Sequence, residues 1–313
     1  MIALAYNELD YLHDLESHVE NSQRTKSIIS KILSLVEKNS EKYEFFVAKK
    51  LEYTKEVWDI VNKVHSIEYL DYLKKRINKT KKIDFIDPDT YITSESLNVV
   101  LTNLELLFGL ASWVVKNNSY GFAYVRPPGH HAESNKAMGF CLINNVAVLA
   151  RYLQFYHNIK KIMIVDFDAH HGNGTQEIFY EDDSVVYFST HAYPFYPFTG
   201  LKEEIGRSKG IGYNFNFPLS IYAGDEELKQ VYEENFREVY EKIEPEFLLV
   251  SAGYDIHSHD PITYMTASID GINTIKKILM KSTEYKNVIF ILEGGYNTNV
   301  LEEVVYYDIN GIK

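Results

Sequence analysis

The sequence predicts a doubly wound α/β fold, a parallel sheet with helices on both faces. Three observations predict it. Four short, nearly continuous apolar runs read as strands buried on both faces. Helical patterns alternate with those runs, the order expected of a parallel sheet. Polar, chemistry-bearing residues follow three of the runs directly, and open parallel sheets bind ligands at the carboxyl ends of their strands.

Taken in order, segment 22–38 reads as a helix with Ile28, Ile29, Ile32, Leu33 and Val36 on one face. The short basic stretch Asn78–Lys82 resembles a linker. Segment 94–116 is a second helix. Segment 226–243 is the clearest, with Leu228, Val231, Tyr232, Phe236, Val239, Tyr240 and Ile243 at i, i+3, i+4 spacing. The strand-like runs are Ile162–Val165, Val185–Phe188, Phe247–Val250 and Val288–Leu292. At about 150 residues per domain the 313 residues could form two units, but large α/β enzymes often use this length for one. Chemistry shared between distant strand ends favours a single domain across at least 120–300, and one catalytic domain over 1–313 is expected.

Hydrophobic residues at 45% and charged residues at 24% exclude a wholly disordered or fibrous chain. A net charge of −12 argues against a nucleic-acid partner and is compatible with a cationic substrate. No uncharged apolar stretch approaches the roughly 18 residues of a membrane span, so no membrane contact is expected. The N-terminus meets Glu8 and Asp10 without a basic region before them, unlike a signal peptide. The one cysteine, Cys141, can close no intrachain disulfide and cannot build a thiolate zinc site. A reducing, cytoplasmic location is therefore expected. The oligomeric state is left open, a homo-oligomer included.

Asp168 and His170, spaced i, i+2 at a strand end, point to the same side. With Asp255 from another strand end they make a three-ligand site with an open position, the form of a catalytic zinc centre. Alone, an Asp-x-His pair is an ordinary loop feature; the convergence of several strand ends changes that reading. Asp166, behind four apolar residues, requires a cation or a histidine as partner. His130 and His131 follow Arg126-Pro127-Pro128-Gly129, a rigid non-helical turn, and suit proton transfer near neutral pH. His171 faces away and reads as packing. Tyr296 after Gly294-Gly295 offers a phenol donor for an oxyanion, a weak signal alone among 25 tyrosines.

These segments resemble the histone deacetylase and acetylpolyamine amidohydrolase superfamily. The match is carried by Arg126–Ala132, Met138–Val146, Asp166–Gln176, Ser189–Gly200, Ser251–Pro261 and Glu293–Tyr296, in the family's order. His18-Val19-Glu20-Asn21-Ser22-Gln23-Arg24 is a weaker echo. Asn173 and Glu293 are more similar to the class II and bacterial branch. The resemblance implies the arginase/deacetylase-type fold and a mononuclear zinc amidohydrolase with one Zn2+ per chain on Asp168, His170 and Asp255. It makes His131 the general base and acid, His130 its electrostatic partner, and Asp166 and Asn173 the groups behind them. It assigns Tyr296 to the acyl carbonyl, and Gly139, Phe140 and Tyr196 to the walls of the acyl tunnel. It also implies K+ near Asp166, Asp168, the main-chain oxygen of His170, and Ser189.

The expected reaction is hydrolysis of an N-acyl amine, either acyl-lysine on a protein or a small acetylpolyamine. Val19 and Ser22 replace family prolines, and Thr263-Tyr264 stands where the family has Gly-Gly, so the rim departs from the pattern. Ile262 occupies the position where a polyamine gatekeeper carboxylate would sit, with Asp87, Asp89 and Glu133 as other rim candidates. Two alternatives stay open. A dinuclear arginase-like ureohydrolase would want carboxylates where Gly172 and His257 stand, and a second, weaker metal at His257 stays open with it. A deacetylase-like acyl-lysine-binding protein without turnover would not need His130, His131 and Tyr296 intact.

Overall fold

A computed structural model describes residues 1–36 and 40–310 of the chain. The strands are β1 (Ile2–Asn7), β2 (Tyr43–Ala48), β3 (Ile83–Phe85), β4 (Tyr91–Thr93), β5 (Tyr120–Tyr124), β6 (Ile162–Asp166), β7 (Val185–Ala192), β8 (Asn214–Leu219), β9 (Phe247–Ala252) and β10 (Val288–Leu292). The helices are α1 (Gln23–Val36), α2 (Lys55–Val61), α3 (Ile67–Lys79), α4 (Ser96–Asn117), α5 (Asn145–His157), α6 (Asn173–Phe179), α7 (Asp225–Gln230), α8 (Arg237–Ile243), α9 (Ile269–Ser282) and α10 (Thr298–Asn310). Eight strands form one sheet in the order β2-β1-β5-β10-β9-β6-β7-β8, and every pairing in it is parallel. β3 and β4 form a small antiparallel pair apart from it.

Both faces of the sheet are covered, which is why the strand runs are apolar throughout. Side chains alternate between faces along a strand. Met163, Val165, Leu248, Val250, Phe290 and Leu292 therefore enter one apolar layer with residues of α1, α9 and α10. Ile162, Ile164, Phe247, Leu249, Ile289 and Ile291 enter the opposite layer with residues of α2, α3, α4 and α5. The 22-residue α4 is long and apolar enough to cross a membrane, but it packs on β1, β2 and α5 and is largely buried.

Three sequence expectations are modified. Leu33 is 53% exposed, because the buried stripe of α1 runs through Ile28, Ile32 and Val36 and Leu33 lies one step around the helix from it. Asn78 and Lys79 end α3 and Ile83 begins β3, so the basic stretch is a tight connection. The helix expected over 226–243 is α7 and α8 joined by a π turn, Val231–Phe236, which keeps Val231, Tyr232 and Phe236 buried against the sheet.

Candidate active site

The four central strands β5, β10, β9 and β6 are neighbours, so their carboxyl ends meet. β5 leads into the loop carrying His130 and His131. β6 leads into Asp168 and His170, β9 into Asp255, and β10 into Tyr296. The site is thus assembled by strand order, from segments more than 160 residues apart.

Asp168, His170 and Asp255 are all buried, and their candidate ligand atoms lie within 4.8 Å of one another. His170 Nδ1 stands 3.0 Å from Asp168 Oδ1 and 2.9 Å from Asp255 Oδ2. Backbone groups aim the carboxylates: Gly294 N–H donates to Asp168 Oδ2 at 2.8 Å and Ala169 N–H to Asp255 Oδ1 at 2.9 Å. Burial opposes ionisation of Asp168, but the charges of His130 and His170 outweigh it and hold its carboxyl below the usual range. Burial and the charge of Asp168 push Asp255 up to about 7. The same carboxylates, acting against burial, raise His170 to about 10. Two carboxylates and an imidazole drawn this tightly together hold a cation strongly, whether a proton or a metal ion.

The two adjacent histidines have different partners. His130 Nδ1 lies 3.0 Å from Asp166 Oδ2, which also accepts from the Tyr187 hydroxyl at 3.0 Å. Burial disfavours the imidazolium, but Asp166, Asp168 and Glu293 outweigh it and raise His130 to about 10. His131 Nδ1 lies 2.8 Å from Asn173 Oδ1. Asn173 Nδ2 donates to Glu133 Oε1 at 2.8 Å, which fixes the amide with its oxygen towards His131. Nδ1 of His131 therefore carries the hydrogen, and Nε2 keeps a free lone pair. Burial, with the charges of His130 and His170, pushes His131 well below the ordinary histidine value. One imidazolium and one neutral base stand side by side, ring centroids 4.0 Å apart.

A cavity of about 320 Å³ opens onto these groups. His130, His131, His170 and Tyr296 contribute to its lining, with Gly139, Phe140 and Tyr196 on the walls. Gly139 is required: its φ is +55°, and a Cβ there would lie 2.4 Å from the His131 ring. Phe140 adopts φ +70°, a costly conformation for a large side chain, with its N–H bonded to Thr90 Oγ1 at 3.1 Å. Tyr196 meets His131 edge-on at 5.3 Å. The Tyr296 ring lies under the Arg24 guanidinium, 4.8 Å from its centroid, and edge-on to Phe140 at 5.9 Å. Burial raises the Tyr296 phenol well above its usual value, so it stays protonated as a donor.

Asp166 lies at the register position of Ser189 on β7. His171 turns away to Thr199 Oγ1 and Gln176 Oε1, as alternation at a strand end requires. Among the described residues His257 is not part of the Asp168–His170–Asp255 group; its Nδ1 accepts from the His259 N–H.

Other residues were not assigned from the sequence. Phe195 lines the cavity beside Tyr196, with its ring 5.3 Å from that of His170; it stands inside the segment Ser189–Gly200 already singled out. Pro128 also lines it, as do Asp89, Ile262 and Val19, which the sequence already places at the rim. Glu293 accepts from the N–H groups of Gly129 (2.7 Å) and His130 (3.1 Å), tying the histidine loop to β10. Glu20 receives a two-point bond from Arg126 (2.7 Å each) and a third contact from Arg24 (3.2 Å). Burial opposes its charge, but these guanidinium groups hold Glu20 at about 2.

A family model described as the histone deacetylase domain matches residues 18–312. Histone deacetylase 14, chloroplastic, of Arabidopsis thaliana is 37% identical over 310 residues, covering 94% of this chain and 72% of that protein. A probable deacetylase of Archaeoglobus fulgidus is 36% identical over 266 residues, 81% of this chain and 73% of that one. The crystal structure of the HDA15 HD domain superposes with a TM-score of 0.89 at 31% identity, covering 100% of this chain and 90% of that chain. Agreement in domain, in related sequences and in three-dimensional structure establishes that the chain belongs to the histone deacetylase family.

Proposed function

We propose that the protein is a zinc-dependent amidohydrolase that removes acetyl or related acyl groups from an amine, either an acyl-lysine side chain or an acetylated polyamine. The observation that carries this reading is the pairing of a carboxylate-backed His130 with an amide-backed His131 in front of a buried Asp-His-Asp cluster.

The donor set suits zinc: one imidazole nitrogen and two carboxylate oxygens, buried, with His170 exposed to the cavity and a position left for substrate. Asp168, His170 and Asp255 would hold it. The chemistry supplied there is Lewis acidity towards an acyl oxygen and a water. Nε2 of His131 takes the proton of that water as its oxygen attacks the acyl carbon. The Tyr296 phenol donates to the oxygen that becomes negative. His131 then gives the proton to the amine nitrogen as the C–N bond breaks, so the products are a carboxylate and a free amine. His130, kept cationic by Asp166, leaves His131 the only unprotonated imidazole of the pair. We also propose K+ beneath the centre, bounded by Asp166, Asp168, the main-chain oxygen of His170, and Ser189; the pairing of Asp166 with Ser189 across β6 and β7 supports it.

The ureohydrolase alternative loses ground because a Cβ at Gly172 would lie 2.2 Å from Asp166 Oδ2, leaving no room for another ligand side chain. The test is metal analysis of the purified protein together with mass-spectrometric hydrolysis of an acetyl-lysine peptide and an acetylated diamine. Hydrolysis that a chelator abolishes and zinc restores is expected. Stoichiometric zinc with neither substrate cleaved would overturn the hydrolase reading and favour binding without turnover.

A further inference from the structure

A line of aromatic rings runs from the metal cluster out of the cavity to the surface. Phe195 packs on the His170 imidazole with centroids 5.3 Å and planes 30° apart. Tyr264 meets Phe195 at 6.2 Å and 76°, and Tyr222 meets Tyr264 at 6.2 Å and 58°. Phe195 lines the cavity, as does Ile262, two residues before Tyr264. Tyr264 and Tyr222 are 60% and 65% exposed. The line therefore starts in the cavity wall at Phe195 and ends on two solvent-exposed tyrosines outside the lining.

The two tyrosines are held in place by main chain. Thr266 N–H donates to Ala223 O at 2.9 Å, and the Thr266 hydroxyl donates to Tyr222 O at 3.1 Å. The Thr263 hydroxyl donates to the carbonyl of Asp255, a candidate metal ligand. These bonds tie the main chain of the two ring-bearing segments to each other and to the segment of Asp255, so the two rings are carried close together. Nothing in the reaction at the floor of the cavity uses them.

We propose that Tyr264 and Tyr222 form a specificity subsite for an aromatic side chain next to an acylated lysine in a polypeptide substrate. The proposal rests on the acyl-amine reading above and narrows it from amines in general to peptides. An acyl-lysine entering the cavity leaves its main chain at the mouth, where its neighbour's side chain reaches the wall that carries Ile262 and Tyr264. A free acetylpolyamine has no group to place there. The surface offers ring faces and edges, which favour another ring in an offset or edge-on arrangement. The carboxylate in the cavity lining, Asp89, stands on a different segment of the wall, next to the Thr90 that bonds Phe140, so a cation is served there and not on the tyrosines.

The experiment uses fluorescein-labelled acetyl-lysine peptides of one length with Trp, Ala, Lys or Glu beside the acetyl-lysine, on each side in turn. Anisotropy gives Kd and a parallel assay gives kcat/KM, for the wild-type protein, Tyr264→Ala, Tyr222→Ala and Tyr264→Phe. The Trp peptide should bind about 10-fold more tightly than the Ala peptide on one side, at the upper end of what aromatic pairs supply. The two Ala variants should lose that margin and Tyr264→Phe should keep it, while free Nε-acetyl-lysine is cleaved at an unchanged rate. Equal binding of the Trp and Ala peptides, tighter binding of the Lys peptide, or a Trp preference that persists in both Ala variants would overturn the subsite. Binding is read without turnover, so Trp-selective binding with no cleavage of any peptide would leave the subsite standing and remove the hydrolase reading.

Discussion

Replacing Tyr296 by Phe should isolate the contribution of a single hydroxyl. The ring should not move, because its anchors do not involve the oxygen: Arg24 stacks on it at 4.8 Å, Phe140 meets it edge-on at 5.9 Å, and its backbone N–H is bonded to Asp260 Oδ2 at 2.8 Å. Tyr296 lines the cavity and its hydroxyl bonds to no protein group among the described residues, so its removal orphans none. What is lost is one donor to the developing oxyanion, about 2.7–4 kcal/mol or about 10²–10³ in kcat. KM should change little, since the ground-state carbonyl carries less charge than the transition state. The assay is steady-state deacetylation of an acetyl-lysine peptide, with zinc content and thermal melting measured on the same samples. A trifluoroacetyl peptide should suffer a smaller loss, because its carbonyl needs less assistance. A kcat within about threefold of wild type, with zinc bound and Tm unchanged, would refute the oxyanion role of Tyr296.

Asp168→Ala, His170→Ala and Asp255→Ala should each lose stoichiometric zinc and hydrolysis together; retention of one tight zinc per chain in all three, by elemental analysis, would show that the metal lies elsewhere. Gly294→Ala should fold yet bind zinc poorly, because the added Cβ would lie 2.4 Å from Asp255 Oδ2 and 2.6 Å from Asp168 Oδ2 and must displace one of them; wild-type zinc affinity by competition with a chelator would contradict this. His65 supplies an acid-sensitive point of stability: its Nδ1–H donates to Glu133 O at 2.9 Å, its Nε2 accepts from Asn144 N–H at 3.0 Å, and burial lowers it from 6.5 to about 4. The folded state resists its protonation, so this contribution is intact above pH 6.5 and is lost as the pH falls from 6.5 towards 4, by about 2 kcal/mol between pH 7 and pH 5. Urea midpoints at those two pH values should therefore fall less in His65→Gln than in wild type, and an identical fall in both would refute the assignment.

The strand runs at 162–165, 185–188, 247–250 and 288–292 were legible because burial on both faces leaves an unbroken apolar string that needs no knowledge of neighbours. β8 was not legible, since Asn214, Asn216 and Pro218 interrupt any such string. Neither was β2, a half-buried edge strand with Glu44 in it. At the site, Asp168 and His170 could be paired from the sequence because their geometry is local to one strand end. Phe195 was passed over for Tyr196 because a loop has no period that says which of two adjacent rings faces the cavity; both line it.

The sequence by itself determined the class of fold, the strand ends at which chemistry gathers, and the residue types available there. These follow from patterns of period two and 3.6 and from the cost of burying charge, all of which act over a few residues. Tertiary structure decided which groups meet. Insertion of β10 and β9 between β5 and β6 brings Glu293 to the backbone of His130 and Asp255 to His170. It also sets protonation: two adjacent histidines of one type become an imidazolium and a neutral base because His130 faces Asp166, while His131 is buried beside the charges of His130 and His170. Strand order is fixed by the packing of whole layers on both faces of the sheet, and a local pattern carries no record of which distant strand lies beside it.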